Sequence, residues 1–241
     1  MQPRPALADP IRTIALIGPD GSGKTTQARR LAAELAAAGL PATYFRHAGG
    51  RRWFGRLADR LGRPDADALL GRRLMLFVES LLRWLAILRT LLRRLVTGEL
   101  AVMDRYAACQ YASLRARSAA PAAERRARLA YRLFPAPDVT VLLTVDPLTA
   151  QRRIESRGYD HETLDYLTAS ATAYRSLPEF EAFRVVDGNG TPDEVAAAIR
   201  AALPTLAPEP PHRARIRATI LAGGPVLAGA AALGRQLAEA F

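Results

Sequence analysis

The chain has 241 residues, 49% apolar and 24% charged, enough for one full domain with a sizeable core plus some tail. A single cysteine, Cys109, excludes an internal disulfide, and three scattered histidines exclude a histidine–cysteine metal cluster. The formal net charge of +11 suits a protein that handles polyanions, or else an arginine-rich solvated surface; no zinc-finger spacing, helix-turn-helix signal or basic-aromatic RNA motif accompanies it.

In chain order, residues 1–11 read as a flexible arm, proline-rich and without the apolar core of a signal peptide, which with the lone thiol points to a cytoplasmic setting. Thr13–Ile17 is an apolar run that predicts a buried strand. It leads into Gly18-Pro19-Asp20-Gly21-Ser22-Gly23-Lys24-Thr25, which fits G-x-x-x-x-G-K-[ST] at every fixed position. A helical pattern from Thr26 to Ala38 follows, with Leu31 and Leu35 on one face and Gly39 as its stop. Strand, glycine-rich turn and helix are the context in which backbone N–H groups turn inward around a phosphate, aided by the helix N-terminus. Lys24 then reaches the β- and γ-phosphates and the Thr25 hydroxyl sits on Mg²⁺. Lys24 is the only lysine in the chain; every other basic residue is arginine. A compact ammonium fits such a nest where a planar guanidinium does not.

Ala42–Arg46 reads as a second strand, parallel to the first by the βαβ spacing, and His47-Ala48-Gly49-Gly50 as a loop at its C-terminal end. Residues 51–73 are basic and glycine-broken, a loop with a short helix. Residues 72–96 predict a long amphipathic helix, with Leu74, Phe77, Val78, Leu81, Leu85, Leu88, Leu92 and Leu95 at helical spacing and Glu79, Arg83, Thr90 and Arg94 on another face. Glu79, Arg83 and Arg89 argue against a membrane span, at about 2.5–3.5 kcal/mol for each charge placed mid-bilayer.

Leu100–Met103 is a third strand, with Asp104-Arg105-Tyr106 at its C-terminal end. A carboxylate there faces the phosphate loop if the two strands are neighbours and holds Mg²⁺ or its waters; the same aspartate would also serve as a helix N-cap. A helix over 107–133, kinked or split at Pro121, precedes the strand Val139–Val145. Asp146-Pro147 opens a helix carrying Arg152, Arg153 and Arg157, either a functional cluster or a solvated basic face. A helix over about 160–176, a strand at Phe183–Val186 and a helix from Thr191 to Leu203, with Thr191 and Glu194 spaced as a capping box, complete a domain over 12–203. Residues 204–241 are a proline-rich linker and an uncharged, small-residue tail behind Arg213, Arg215 and Arg217, suited to an interfacial membrane contact or to a docked helix.

Together these residues resemble the thymidylate kinase family of P-loop nucleoside monophosphate kinases over about 12–203. Gly18 to Thr26 is similar to the family's phosphate loop, Arg46 to Gly50 to its Arg-Glu-Pro-Gly-Gly loop, Leu76-Phe77 to the Leu-Phe of its acceptor-base helix, Asp104-Arg105-Tyr106 to its Asp-Arg-Tyr motif, and Arg152-Arg153 with Arg157-Gly158 to its lid. The resemblance implies an α/β fold with a five-stranded parallel sheet in the order 2-3-1-4-5. It implies ATP and Mg²⁺ as cofactors and a nucleoside monophosphate, most readily dTMP, as acceptor, with no nucleic acid partner and a homodimer as one assembly.

By the same resemblance, Gly18, Asp20, Gly21, Ser22, Gly23, Lys24, Thr25 and Thr26 bind the donor phosphates, and Thr25 and Asp104 bind the metal. Asp20, Arg46, Phe77 and Arg105 hold the acceptor, Phe77 by stacking on its base, and Lys24, Asp104, Arg105, Arg153 and Arg157 are catalytic. One family branch carries a catalytic arginine in the phosphate loop; Gly21 stands there, so the lid arginines take that work. Three departures weaken acceptor recognition: His47 and Ala48 in the Arg-Glu-Pro loop, and Leu81 where a base-contacting arginine is expected. Leu81 has no donor for a base edge, which predicts weak selection for dTMP. A same-fold kinase for another small acceptor, or a nucleotide-binding regulatory module with little turnover, are the alternatives.

Overall fold

Thr13–Ile17 (β1) is buried at every position, as a central strand covered on both faces requires. It sits in a five-stranded sheet whose other strands are Ala42–Arg46 (β2), Leu100–Asp104 (β3), Val139–Thr144 (β4) and Arg184–Asp187 (β5). The order is β2-β3-β1-β4-β5 and every pairing is parallel, the arrangement expected from the sequence. The computed structural model describes residues 11–158 and 162–206, so nearly all of the expected N-terminal arm and of the linker and tail lies outside the described residues.

The helices are α1 (Lys24–Ala37), α2 (Arg51–Arg60), α3 (Ala66–Leu70), α4 (Arg72–Thr97), α5 (Ala107–Ala116), α6 (Pro121–Tyr131), α7 (Pro147–Glu155), α8 (Leu164–Arg175) and α9 (Pro192–Ala202). Pro121 opens α6 instead of kinking one long helix, since it fits a first helical position where no N–H is needed. The capping box of α9 forms: Glu194 N–H donates to Thr191 Oγ at 3.3 Å and Thr191 N–H donates to Glu194 Oε2 at 2.8 Å. The basic stretch after β2 folds into α2 and α3, more helix than a loop with one short turn.

Two cores flank the sheet. Ile14, Leu16, Val102, Val141 and Leu143 pack with Leu31 of α1 and with Val195 and Ile199 of α9. Ala15, Ile17, Met103 and Leu142 pack on the other side with Ile87 of α4, Cys109 and Ala112 of α5, and Tyr174 of α8. Sequence neighbours β1 and β2 are separated by β3, and the chain crosses to β4 on the other side of β1. The carboxyl ends of β1 and β3 therefore border the crevice where open α/β sheets bind ligands.

Helix α4 presents the polar side of its amphipathic pattern to the interior. Met75, Glu79, Arg83, Ile87 and Thr90 are buried, spaced by three or four residues on one face. Leu74, Phe77, Leu81, Leu85, Leu92 and Leu95 form the opposite, exposed face. Burial of Glu79 and Arg83 is made tolerable by pairing: Arg83 Nη2 donates to Glu79 Oε1 at 2.9 Å, and Nη1 donates to Gln110 Oε1. Among the described residues no helix is long and apolar enough to cross a membrane.

Candidate active site

The phosphate loop leaves β1 at Gly18 and enters α1 at Gly23, whose φ of 88° is left-handed and glycine-favouring. Gly21 has φ 81°, and a Cβ there would lie 2.6 Å from the carbonyl oxygen of Ala150. The N-terminal turns of α7 thus pack so closely on the loop that no side chain fits at position 21, which accounts for the missing phosphate-loop arginine. Tyr174 of α8 ties the loop down by donating to the Gly18 carbonyl at 2.9 Å.

Lys24 is 4% exposed, and its Nζ donates to the Pro19 carbonyl at 2.5 Å and to Ser22 Oγ at 3.4 Å. The Asp20 carboxylate lies 3.9 Å away. Burial and then the Arg105 charge pull the ammonium down to about 8, against the opposite pull of Asp20 and Asp104. Asp20 is paired with the Arg105 guanidinium. Desolvation works to raise the Asp20 carboxyl, but the charges of Arg105 and Lys24 win and hold it well below the usual carboxylate range.

Asp104 ends β3 directly opposite Leu16 of β1 and Arg46 of β2. Thr25 Oγ donates to Asp104 Oδ2 at 2.6 Å, and Tyr44 Oη donates to the same oxygen at 3.1 Å. Burial, then Asp104, push the Tyr44 phenol up to about 12, so it stays a donor. Asp104 Oδ1 is buried with no hydrogen-bond partner. A lone carboxylate oxygen beside a threonine hydroxyl, both hard oxygen donors next to the phosphate loop, fits a magnesium ion. The N-cap role also open to Asp104 is not used: Tyr106 stands at that position of α5, with no side-chain cap.

Arg105 has φ 80°, a conformation costing a non-glycine residue about 1–2 kcal/mol. Its N–H donates to Leu16 O at 3.0 Å, stitching it to β1. The loop after β2 closes onto α4: a Cβ on Gly49 would sit 2.1 Å from Glu79 Cγ. Arg83 Nε and Gln110 Nε2 are both buried with no hydrogen-bond partner. Arg117 lies 4.4 Å over the Tyr166 ring and 3.7 Å from Glu162.

Lys24, Thr25, Asp20, Asp104 and Arg105 therefore come together around one loop, with Arg46 exposed at the end of β2 beside them. Phe77 does not join them. It is 63% exposed on the outer face of α4, one hundred degrees per residue having turned it away from Glu79 and Arg83. Leu81 also faces outward, whereas Glu79, Arg83 and Gln110 form a buried polar cluster on the inner side of the helix. Polar residues at i, i+4 within an apolar helix were the available signal. Arg153 donates to the carbonyls of Gly188 at 2.7 Å, Asn189 at 3.0 Å and Gly190 at 3.3 Å, fastening the turn after β5. Arg157 is exposed beyond the end of α7.

A family model described as "Thymidylate kinase" matches residues 17–199, the span from the end of β1 to α9. The chain belongs to the thymidylate kinase family. Curated relatives agree. A thymidylate kinase of Xanthomonas euvesicatoria is 32% identical over 190 residues, covering 76% of this chain and 78% of the relative. One from Xanthomonas oryzae is 31% identical over 191 residues with the same coverage of both chains. A probable thymidylate kinase of Pyrobaculum aerophilum is 29% identical over 192 residues and is covered to 92%. The family match contains every residue of the cluster around Lys24 and Asp104, together with the buried Glu79, Arg83 and Gln110.

Proposed function

We propose that this chain is an ATP-dependent thymidylate kinase that converts dTMP to dTDP with release of ADP. The observation that carries the reading is the Thr25–Asp104 contact across adjacent strands, with the second Asp104 oxygen unpartnered and the Asp20–Arg105 pair beside it. Gly18, Gly21, Ser22, Gly23, Lys24, Thr25 and Thr26 line the donor phosphates, while Arg105 and Arg46 clamp the acceptor phosphate and Asp20 takes the sugar hydroxyl. A phosphate oxygen of dTMP attacks the γ-phosphorus in line; that P–O bond forms as the bond to the β-phosphate oxygen breaks. Held by Thr25 and Asp104, Mg²⁺ would supply charge neutralisation on the transferring group. Lys24, Arg105 and the exposed Arg157 add positive charge where the transition state gathers negative charge.

On the acceptor base, Arg83 Nε and Gln110 Nε2 offer two buried N–H donors that suit the carbonyl edge of thymine. Residues 12–203 act as the catalytic domain, and residues 204–241 are an appended segment. A cytoplasmic setting goes with this reading, supported by a single buried free thiol. The outer leucine stripe of α4 supports a homodimer built on that face, because contiguous exposed apolar surface of this kind marks an interaction site; Leu85→Glu should then yield a monomer in sedimentation. The activity itself is tested with purified protein, ATP, Mg²⁺ and dTMP, following ADP and dTDP together. Lys24→Ala should lower kcat by about 10²–10³-fold while the fold is retained. Unchanged turnover, or ADP release without dTMP dependence, would overturn it.

A further inference from the structure

One fully buried polar cluster has no task in the reaction described above. His47 is 0% exposed and Thr90 1% exposed, at the seam between the loop after β2, helix α4 and the end of β3. His47 Nδ1 lies 2.8 Å from the Arg105 carbonyl oxygen, and Nε2 lies 2.9 Å from Thr90 Oγ. A carbonyl only accepts, so Nδ1 carries the hydrogen and donates it. In the neutral ring Nε2 is then an acceptor, and the Thr90 hydroxyl is in place to donate to it. Thr90 Oγ is also 3.0 Å from the Ala86 carbonyl, so its one hydrogen serves either partner.

The residue that receives this hydrogen bond is the one with strained backbone. Arg105 has φ 80°, and both its backbone polar groups are held: N–H by Leu16 of β1, carbonyl by His47. Released from one of these, a non-glycine residue relaxes toward negative φ, and its Cα–Cβ bond swings with it. We propose that His47 is a positioning residue for Arg105, its Nδ1–H holding the Arg105 carbonyl in the left-handed turn that aims the guanidinium at Asp20 and the acceptor phosphate. This rests on the reading of Arg105 as the acceptor clamp.

The test uses two substitutions that each keep one ring nitrogen's position. The amide nitrogen of asparagine falls near Nδ1, that of glutamine near Nε2. His47→Gln should lower kcat/KM for dTMP by about tenfold, the worth of one lost hydrogen bond, and leave KM for ATP unchanged. His47→Asn should restore kcat/KM for dTMP to within about threefold of the wild type. Equal losses in the two variants, or a loss appearing only as lower kcat with both KM values unchanged, would mean a merely structural histidine and overturn the proposal. Should His47→Gln fail to fold, His47→Asn decides alone: with a native Tm, a tenfold loss overturns the proposal and retention supports it. Arg105→Ala separates the two levels. If it leaves dTMP turnover intact, the reading of Arg105 fails; if it abolishes turnover while His47→Gln does not weaken dTMP use, only the role of His47 fails.

Discussion

Thr25 and Asp104, 79 positions apart in the chain, meet side chain to side chain at 2.6 Å, and Tyr44 donates to the same carboxylate oxygen at 3.1 Å. Two donors on one oxygen fix the carboxylate and leave the other oxygen turned into the buried site. Tyr44→Phe removes one of the donors. It should lower kcat by about two- to tenfold and raise the Mg²⁺ concentration for half-activation. Asp104→Asn removes the charge and should cost about 10²–10³-fold. Mg²⁺ titrations at saturating ATP, with Tm as the check on folding, distinguish the two.

Acceptor choice should be stronger than Leu81 led the sequence to imply. Arg83 Nε and Gln110 Nε2 are buried N–H donors without a partner, and if they face the acceptor base as proposed, a base that leaves them unpaired is penalised. dTMP should be preferred over dCMP by ~10–100-fold in kcat/KM. Gln110→Leu should bring that ratio close to unity. A ratio already near unity in the wild type would show that these donors do not meet the base.

Arg83→Leu has a different outcome. It removes the guanidinium paired with Glu79 Oε1, and breaking a buried pair by removing one partner costs up to about 3–5 kcal/mol. Glu79→Leu/Arg83→Leu removes both charges and should recover much of that loss. Chemical denaturation of the three proteins gives the comparison.

Arg153 and Arg157 should separate in their kinetics. The Arg153 guanidinium is committed to three carbonyls of the turn 188–190, so Arg153→Ala should loosen that turn and raise KM for ATP more than it lowers kcat. Arg157 makes no such commitment and is exposed, so Arg157→Ala should act mainly on kcat. Identical profiles for the two variants would contradict this division.

Acid should destabilise the fold through His47. Burial holds the ring down to about 4, against the pull of the Arg105 carbonyl and Asp104, with Arg83 and Arg89 adding to the lowering. An unfolded histidine takes up its proton near pH 6.5, so between about pH 6.5 and 4 the unfolded chain binds more protons than the folded one. Stability therefore falls as pH falls through that window, by about 3 kcal/mol in all. His47→Asn lacks this component, so its Tm should decline less than the wild type's between pH 7 and 4.5. Asp20 does not confuse the comparison: its folded value is depressed below that of an unfolded aspartate, so its contribution is lost only at still lower pH.

Much of the donor side was legible in the sequence because it is local. Gly18 to Thr25 is one continuous stretch, and Asp104 lies at the end of an apolar strand whose place beside β1 the family resemblance implied. The proposed acceptor side lies against α4, and there periodicity fails in a specific way. It tells which residues share a face, not which face turns inward. Leu74, Phe77, Leu81 and Leu85 recur at helical spacing, yet it is Glu79 and Arg83 that are buried, with Arg83 donating to Glu79 and to Gln110. The task of Arg153 was hidden for a similar reason: its partners are backbone carbonyls, which no side-chain pattern reveals.

The solitary, buried Lys24 also makes the chain its own conformational reporter. A protease specific for lysine has a single peptide bond to cut, Lys24–Thr25, in the first turn of α1 beneath the phosphate loop. The folded protein should resist it, and each cleavage would record one opening of the nucleotide cradle. The rate of that single cut, compared with and without ATP, would measure how much the loop is closed by its ligand, with no label attached and no residue changed.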